Sequence, residues 1–265
     1  MEVVILVIYG TALLLIFIYS IMQMVLVYNY RKKSKTSLEK HLEGSFYKDE
    51  IPLVTIQLPI YNEKYVVERL LDCVASFNWP KEKLEIQVLD DSTDESVEIS
   101  RKKVNELKEK GFNIEHIHRK DRTGYKAGAL NVGLQSAKGE FIAIFDADFI
   151  PAADFLSNTM PQFKDPKVGV VQTRWGHINK DYSLLTRLQA FGLDAHFSVE
   201  QTGRSKGGYF INFNGTAGIW RRRTIEEAGG WEYDTLTEDL DLSYRAQLKG
   251  WKFIFLEDTV TDAEL

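Results

Sequence analysis

Asp146 and Asp148 are the residues from which chemistry can be built in this chain. They follow the apolar run Phe141-Ile142-Ala143-Ile144-Phe145, which reads as a strand buried on both faces. Side chains two apart on an extended chain point the same way, so the two carboxylates can converge on one ligand. They would do so at the carboxyl end of the strand, the edge where open α/β sheets bind ligands. Paired oxygen donors of this kind suit Mg²⁺ or Mn²⁺, with substrate phosphates and water completing the shell. A loop that merely carries two aspartates is the plain alternative. Two further clusters, Asp90/Asp91 and Glu238/Asp239/Asp241, also fall at predicted element ends. Together the three suggest a metal–diphosphate site with a carboxylate to spare for proton transfer.

The elements that must position these groups alternate. Residues 53–58 form a predicted strand ended by Pro59, and Asn62 is placed to cap a helix running to about Phe77. Residues 84–89 are a second strand, delivering Asp90 and Asp91. A charged helix covers roughly 94–110, and 113–117 is a third strand. Gly124 to Asn131 opens a helix, the strand ending at Asp146 follows, and another helix runs from Pro151 to about Phe163. This spacing predicts an α/β fold, Rossmann-like, with a mainly parallel sheet and helices on both faces. Residues 168–175 are a further strand. Leu184, Leu185, Leu188, Phe191 and Phe197 recur at helical spacing over 182–200, where core packing is expected rather than an acceptor site or the membrane. Residues 209–220 are glycine-punctuated and strand-like. Thr237 is a predicted N-cap of a helix ending at Gly250, and 251–256 is the last strand.

A net charge of −5 over 265 residues excludes the basic face of a duplex nucleic-acid binder, so no nucleic-acid partner is expected. The single cysteine, Cys73, excludes an internal disulfide. The amino end stands apart, since Val3 to Tyr28 carries no charge and exceeds the ~20 residues needed to cross a bilayer. Arg31-Lys32-Lys33 follows at once, which by the positive-inside rule places the rest of the chain in the cytoplasm. The expected organisation is a transmembrane anchor over 1–30, a juxtamembrane linker over 31–51 and one catalytic domain over 52–265. Membrane lipid is therefore an expected partner.

Sugar transfer from a nucleoside diphosphate would use all of these parts. The leaving diphosphate needs a divalent ion and nearby cations, and the acceptor hydroxyl needs a carboxylate to take its proton. At this point the order of motifs becomes telling: Pro59-Ile60-Tyr61-Asn62-Glu63, Leu89-Asp90-Asp91-Ser92-Thr93-Asp94, Gly124-Tyr125-Lys126-Ala127-Gly128, Phe145-Asp146-Ala147-Asp148, Gln172-Thr173-Arg174-Trp175, Phe213-Asn214-Gly215-Thr216 and Thr237-Glu238-Asp239. From about residue 52 to 265 the chain resembles glycosyltransferase family 2, within it the cellulose synthase superfamily, and most closely the cellulose synthase-like A and C branches of mannan and glucan synthases. The resemblance implies a GT-A fold, a nucleotide-sugar donor (UDP-glucose or GDP-mannose), Mg²⁺ or Mn²⁺, inversion at the anomeric carbon and a β-linked polysaccharide acceptor. By motif match Tyr61, Glu63, Asp90, Asp91, Lys126 and Asp146 would hold the donor. Asp146 and Asp148 would bind the metal, and Asp239 would be the general base. Phe213, Asn214, Gly215 and Glu238 would shape the acceptor end.

Asp239 in a first helical turn is favoured as a carboxylate by the helix dipole, which secures the base form while weakening its proton affinity. His116 and His118 could share a strand face, but no third ligand stands nearby and zinc is not expected. Arg221-Arg222-Arg223 reads as a solvated run opening a helix, and Trp175 and Trp220 as core residues. The Gln-x-x-Arg-Trp motif and later membrane helices of resembling polymer synthases are not found up to Leu265, so a carboxyl-terminally truncated domain is expected. Alternatives are a non-processive transferase acting on a lipid or short acceptor, and an inactive nucleotide-sugar binder. An Asp-x-Asp phosphatase is disfavoured by Phe149-Ile150-Pro151.

Overall fold

The computed structural model describes residues 2–31 and 51–265, so the linker expected over 31–51 lies, but for its ends, outside the described residues. The strands are β1 (Val54–Ile60), β2 (Leu84–Asp90), β3 (Asn113–His118), β4 (Phe141–Ile144), β5 (Phe149–Ile150), β6 (Val168–His177), β7 (Gly218–Arg221) and β8 (Lys252–Ala263). They form one sheet in the order β3-β2-β1-β4-β7-β6-β8-β5. β3, β2, β1 and β4 are parallel, as are β6 and β8, while β7 runs antiparallel to both its neighbours and β5 to β8. The expected mainly parallel sheet is present.

Period-two alternation divides the core into two layers. Val54, Ile56, Leu58 and Ile60 of β1 face α2 (Val67–Ala75), α3 (Ser96–Glu109) and α5 (Phe155–Thr159). Ile142 and Ile144 of β4 face the other way, onto α4 (Tyr125–Ser136), α8 (Arg222–Glu227) and α9 (Glu238–Leu248). On this second face β1 and β2 bury polar side chains that pair with one another. The Thr55 hydroxyl donates to Glu85 Oε2 (2.6 Å), and Gln57 Nε2 donates to Gln87 Oε1 (3.0 Å). Helix α4 presses onto this ladder at Gly133, where a Cβ would lie 2.6 Å from Gln57 Nε2 and 2.8 Å from Leu89 Cδ2. That close approach sets the height of Lys126, in the first turn of α4, over the ends of β1, β2 and β4.

Four local expectations are corrected. Asn62 does not cap a helix: it sits at φ 58°, its amide donates to Ser92 Oγ and its Oδ1 accepts from the Thr93 amide (2.9 Å each), so α2 starts later, at Val67. β4 ends at Ile144, and Asp146 to Phe149 form a turn closed by the Phe149 amide on the Asp146 carbonyl (3.2 Å), not an extended continuation. The strand expected over 209–220 shrinks to β7. The amides of Ile211, Phe213 and Asn214 are taken by the side chains of Gln247, Ser243 and Gln172 instead of a neighbouring strand.

The fourth concerns α6 (Leu184–Ala195), which a π-helical turn (His196–Gln201) continues into α7 (Thr202–Gly207). Here Thr186 and Ala190 are buried, while Leu184, Leu185, Leu188 and Phe191 are exposed, the opposite of core packing.

Helix α1 (Glu2–Arg31) is long and apolar enough to cross a membrane, and its side chains are largely exposed, with Leu26 buried. It leans on α7, where a Cβ on Gly203 would meet the Leu26 carbonyl at 2.6 Å.

Gly133→Ala is expected to lower stability by about 1–3 kcal/mol through overpacking against β1 and β2. Gly192→Ala in α6 has open space around it and should be neutral or slightly stabilising. Thermal unfolding of the two variants beside the parent checks the contrast.

Candidate active site

A cleft of about 270 Å³ opens at the carboxyl ends of β1, β2 and β4. Tyr61 and Glu63 reach it from the loop after β1, Asp91 from the loop after β2, and Lys126 from α4. Asp146 and Asp148 come from the turn after β4. Six of the residues expected at the donor and metal positions thus line one wall-to-wall space.

Lys126 Nζ lies 2.5 Å from Asp146 Oδ1, and the Asp146 amide donates to Thr216 Oγ1 (2.8 Å). Burial pushes the Asp148 carboxyl up, and the Asp146 charge pushes the same way; Lys126 acts against them. Glu63 is raised by burial, then by Asp148 and Asp146. The cleft therefore holds more negative charge than its ammonium neutralises, which is the electrostatic condition a divalent cation would relieve. Among the described residues no three metal-ligating side chains gather closely enough to enclose an ion. Asp146 and Asp148 fit such a cation as a two-carboxylate platform whose remaining ligands are water and phosphate, the usual state of Mg²⁺ and its analogues.

Asp239 lies near the same Lys126 ammonium. A Cβ on Gly215 would lie 3.2 Å from Asp239 Oδ2 and 3.5 Å from Lys126 Nζ, so the two charged groups flank a residue that has no side chain to separate them. Gly215 has φ 78°, a conformation that favours glycine. Burial raises the Asp239 carboxyl and Asp146 adds to it, whereas the Leu240 amide, which donates to Oδ1 (2.8 Å), and Lys126 pull it down. Thr237 is the N-cap of α9 by position but makes no side-chain cap. The Ser243 hydroxyl instead ties the helix to the neighbouring loop. It donates to the Asp239 carbonyl (2.6 Å) and accepts from the Phe213 amide (3.0 Å).

The remaining expected residues lie elsewhere. Asp90 is fully buried and does not reach the cleft; its Oδ1 accepts from the Ser92 amide (2.8 Å) and its Oδ2 lies 2.7 Å from His116 Nε2. Burial alone would raise its carboxyl, but the bonds from His116 and Ser92 outweigh it and hold it below the usual range. Phe213 is fully buried against Trp220 and does not line the cleft. Asn214 turns its Oδ1 away from the cleft, to Gln201 Nε2 (3.0 Å) and His196 Nε2 (3.4 Å). Glu238 is half-buried at the start of α9.

Three groups were not anticipated. Arg119 grips Asp91 with two bonds (2.7 and 2.5 Å) and also donates to the Tyr125 carbonyl (2.9 Å), so it fixes Asp91 to the start of α4. The Arg122 guanidinium stacks 3.3 Å over the Tyr61 ring inside the cleft. Gln172, fully buried, accepts from the Asn214 amide and donates to the Thr216 and Ala217 carbonyls (3.1 Å each), holding the 214–217 loop. Only Gln172 carried a signal in the sequence, through its place in the Gln172-Thr173-Arg174-Trp175 motif.

The family pattern described as Glycosyl transferase family 2 matches residues 55–228. Glucomannan 4-beta-mannosyltransferase 1 of Cyamopsis tetragonoloba is 44% identical over 241 residues, covering 89% of this chain and 45% of its own length. Glucomannan 4-beta-mannosyltransferase 7 of Arabidopsis thaliana is 40% identical over 261 residues, covering 94% and 47%. The chain thus spans a little under half the length of these relatives. Among solved structures, the mannosyltransferase PcManGT from Pyrobaculum calidifontis, in complex with GDP-Man and Mn²⁺, superposes with a TM-score of 0.67 at 26% identity, covering 90% of this chain and 64% of that one. S. aureus TarS 1-349 in complex with UDP-GlcNAc has a TM-score of 0.60 at 18% identity, covering 80% and 58%, and shares the fold. A family match that runs from β1 into α8 joins strand-end carboxylates gathered on one cleft, and on that footing the chain belongs to glycosyltransferase family 2 and has its GT-A fold.

Proposed function

We propose that this chain is the catalytic part of an inverting, metal-dependent hexosyltransferase that extends a β-linked polysaccharide from a nucleoside-diphosphate sugar. GDP-mannose is the donor we favour, because relatives of 40% and 44% identity are named mannosyltransferases and PcManGT was solved with GDP-Man. The observation that carries the reading is the approach of Asp239 and Lys126 to one another at Gly215, with Asp146 held by the same Lys126 ammonium in a cleft lined by the other acidic groups.

Tyr61, Arg122 and Asp91 are the partners for the nucleoside, and Arg119 keeps Asp91 in place. Lys126 offers its ammonium to the diphosphate as negative charge builds on it. Asp146 and Asp148 would hold Mg²⁺ or Mn²⁺, which when bound supplies Lewis-acid stabilisation of that leaving group. Asp239 takes the proton from the acceptor hydroxyl as its oxygen bonds to the anomeric carbon and the bond to the diphosphate oxygen breaks on the opposite face, which inverts the centre. Its raised proton affinity suits this role, since a carboxylate at the ordinary value is a weaker base. Helix α1 would place this domain on the cytoplasmic side of a membrane. The polymerising activity belongs to the longer protein that the relatives' length implies.

Asp239→Asn is expected to lower turnover at least 100-fold while leaving GDP binding within about threefold, as general-base loss typically costs 10²–10⁴. Radiolabelled sugar transfer and calorimetry on the full-length protein measure the two. Asp148→Asn should instead weaken Mn²⁺-dependent GDP binding by more than tenfold, and EDTA should abolish the difference between variant and parent. Because burial raises the Asp239 carboxyl, kcat should fall on acidification at a pH above the ordinary carboxylate range. Lys126→Met removes a cation that lowers that value, so it should move the acid limb to still higher pH.

A further inference from the structure

Asp90 is a carboxylate set in an apolar layer. Along β2 it shares a face with Ile86 and Val88, members of the core layer that also holds Ile114 of β3, and it is 0% exposed. Two residues on from Ile114, His116 meets it there, with its own side chain 9% exposed. A carboxylate so buried needs partners, and an apolar pair of similar volume would often serve the core as well or better. What the pair holds in place is therefore the reason to look for.

An ionised carboxylate only accepts, so His116 Nε2 donates to Asp90 Oδ2 (2.7 Å), while Oδ1 accepts from the Ser92 amide (2.8 Å). The Asp90 carbonyl accepts from the Arg119 amide (2.9 Å) and lies 3.1 Å from His118 Nδ1. Arg119, fixed there by its backbone, grips Asp91 with its side chain. From Ser92 the bonds cross to the loop after β1. The Ser92 hydroxyl accepts from the Asn62 amide, and Asn62 Oδ1 from the Thr93 amide (2.9 Å each), which hold Asn62 at φ 58° between Tyr61 and Glu63. The loops that carry Tyr61, Asp91 and Arg122 are thus tied to one buried carboxylate, and that carboxylate to one histidine. The other end of the cleft hangs on different supports. Lys126 pairs with Asp146, and the Asp146 amide rests on Thr216, and neither bond passes through Asp90 or His116.

We propose that His116 is a positioning residue for the nucleoside of the donor, acting through Asp90 on the loops that carry Tyr61, Asp91 and Arg122. It has this role only if the cleft is the donor site proposed above. The consequence is a split between the two ends of the cleft. Loss of the His116 bond loosens the wall that grips the nucleoside and leaves the end that grips the diphosphate and its metal as it was.

The test measures binding of GDP and of pyrophosphate, each with Mn²⁺, to the whole 1–265 chain in detergent by calorimetry. His116→Phe keeps an aromatic ring and deletes the donor. It should weaken GDP about tenfold or more, the scale of one hydrogen bond to a charged group, and leave pyrophosphate within about twofold. His116→Gln can still donate to Asp90 and should restore GDP binding to within about threefold of the parent. Ser92→Ala cuts the same chain of bonds beyond Asp90, in the loop after β2, and should repeat the GDP loss; it carries the test if His116→Phe does not fold. Unchanged GDP binding in whichever of these two variants folds would overturn the inference. So would an equal loss of GDP and pyrophosphate, the mark of a general loosening of β3, or a failure of His116→Gln to restore binding. A parent chain that does not bind GDP would overturn the donor reading itself, and the role of His116 with it.

Discussion

Burial of Asp148, Asp239 and Glu63 near Asp146 raises the proton affinity of all three, because each loses water and feels its neighbours' charge. A fold does not gather carboxylates this way for stability, since like charges in a poorly solvated cleft repel. The Lys126 ammonium, 2.5 Å from Asp146, offsets part of the repulsion. The remaining charge is what a bound divalent cation would relieve. The rest of the molecule can be understood as the frame that holds this unfavourable arrangement open.

That frame has three supports. Helix α4 is brought down on the sheet by Gly133, which fixes Lys126. The buried Gln172 amide and the Thr216 hydroxyl lock the 214–217 loop ahead of β7, and with it the backbone of Asp146. Ser243 then joins the start of α9 to Phe213, so that Asp239 and Gly215 keep their spacing. Each support is a hydrogen bond or close contact in a dry place, where loss of one partner leaves a costly orphan. Positioning on this scale matters wherever reacting groups must be held in line.

Much of this was legible in the sequence. Alternating apolar segments predicted the parallel half of the sheet, and the strand-end positions of Asp91 and Asp146 followed from it. Asp239 and Lys126 were readable only as motif members, since nothing in periodicity says that α9 and α4 meet over Gly215. Other features were hidden for identifiable reasons. Asn62 has the chemistry of a helix cap, but a backbone at φ 58° and the competing Ser92 and Thr93 claimed its polar groups. Asp90 and Asp91 are identical in type and adjacent, and only the position of His116 on β3 decides which turns inward. Arg119 and Arg122 lie in a polar loop without a pattern, where tertiary contact sets their roles. The α6 stripe has the period of a core helix, and periodicity cannot tell a face turned to the interior from one turned outward.

The central claim is that these acidic groups form one site around a donor diphosphate. Diffraction from the protein soaked with Mn²⁺ and GDP, recorded at the manganese edge, tests it most directly. A single anomalous peak bonded to Asp146 or Asp148 and to diphosphate oxygens, with Lys126 beside the phosphates and Asp239 facing the vacant sugar position, is the predicted result. Manganese bound away from this turn, or GDP seated where it touches neither Lys126 nor the Asp146–Asp148 segment, would contradict it.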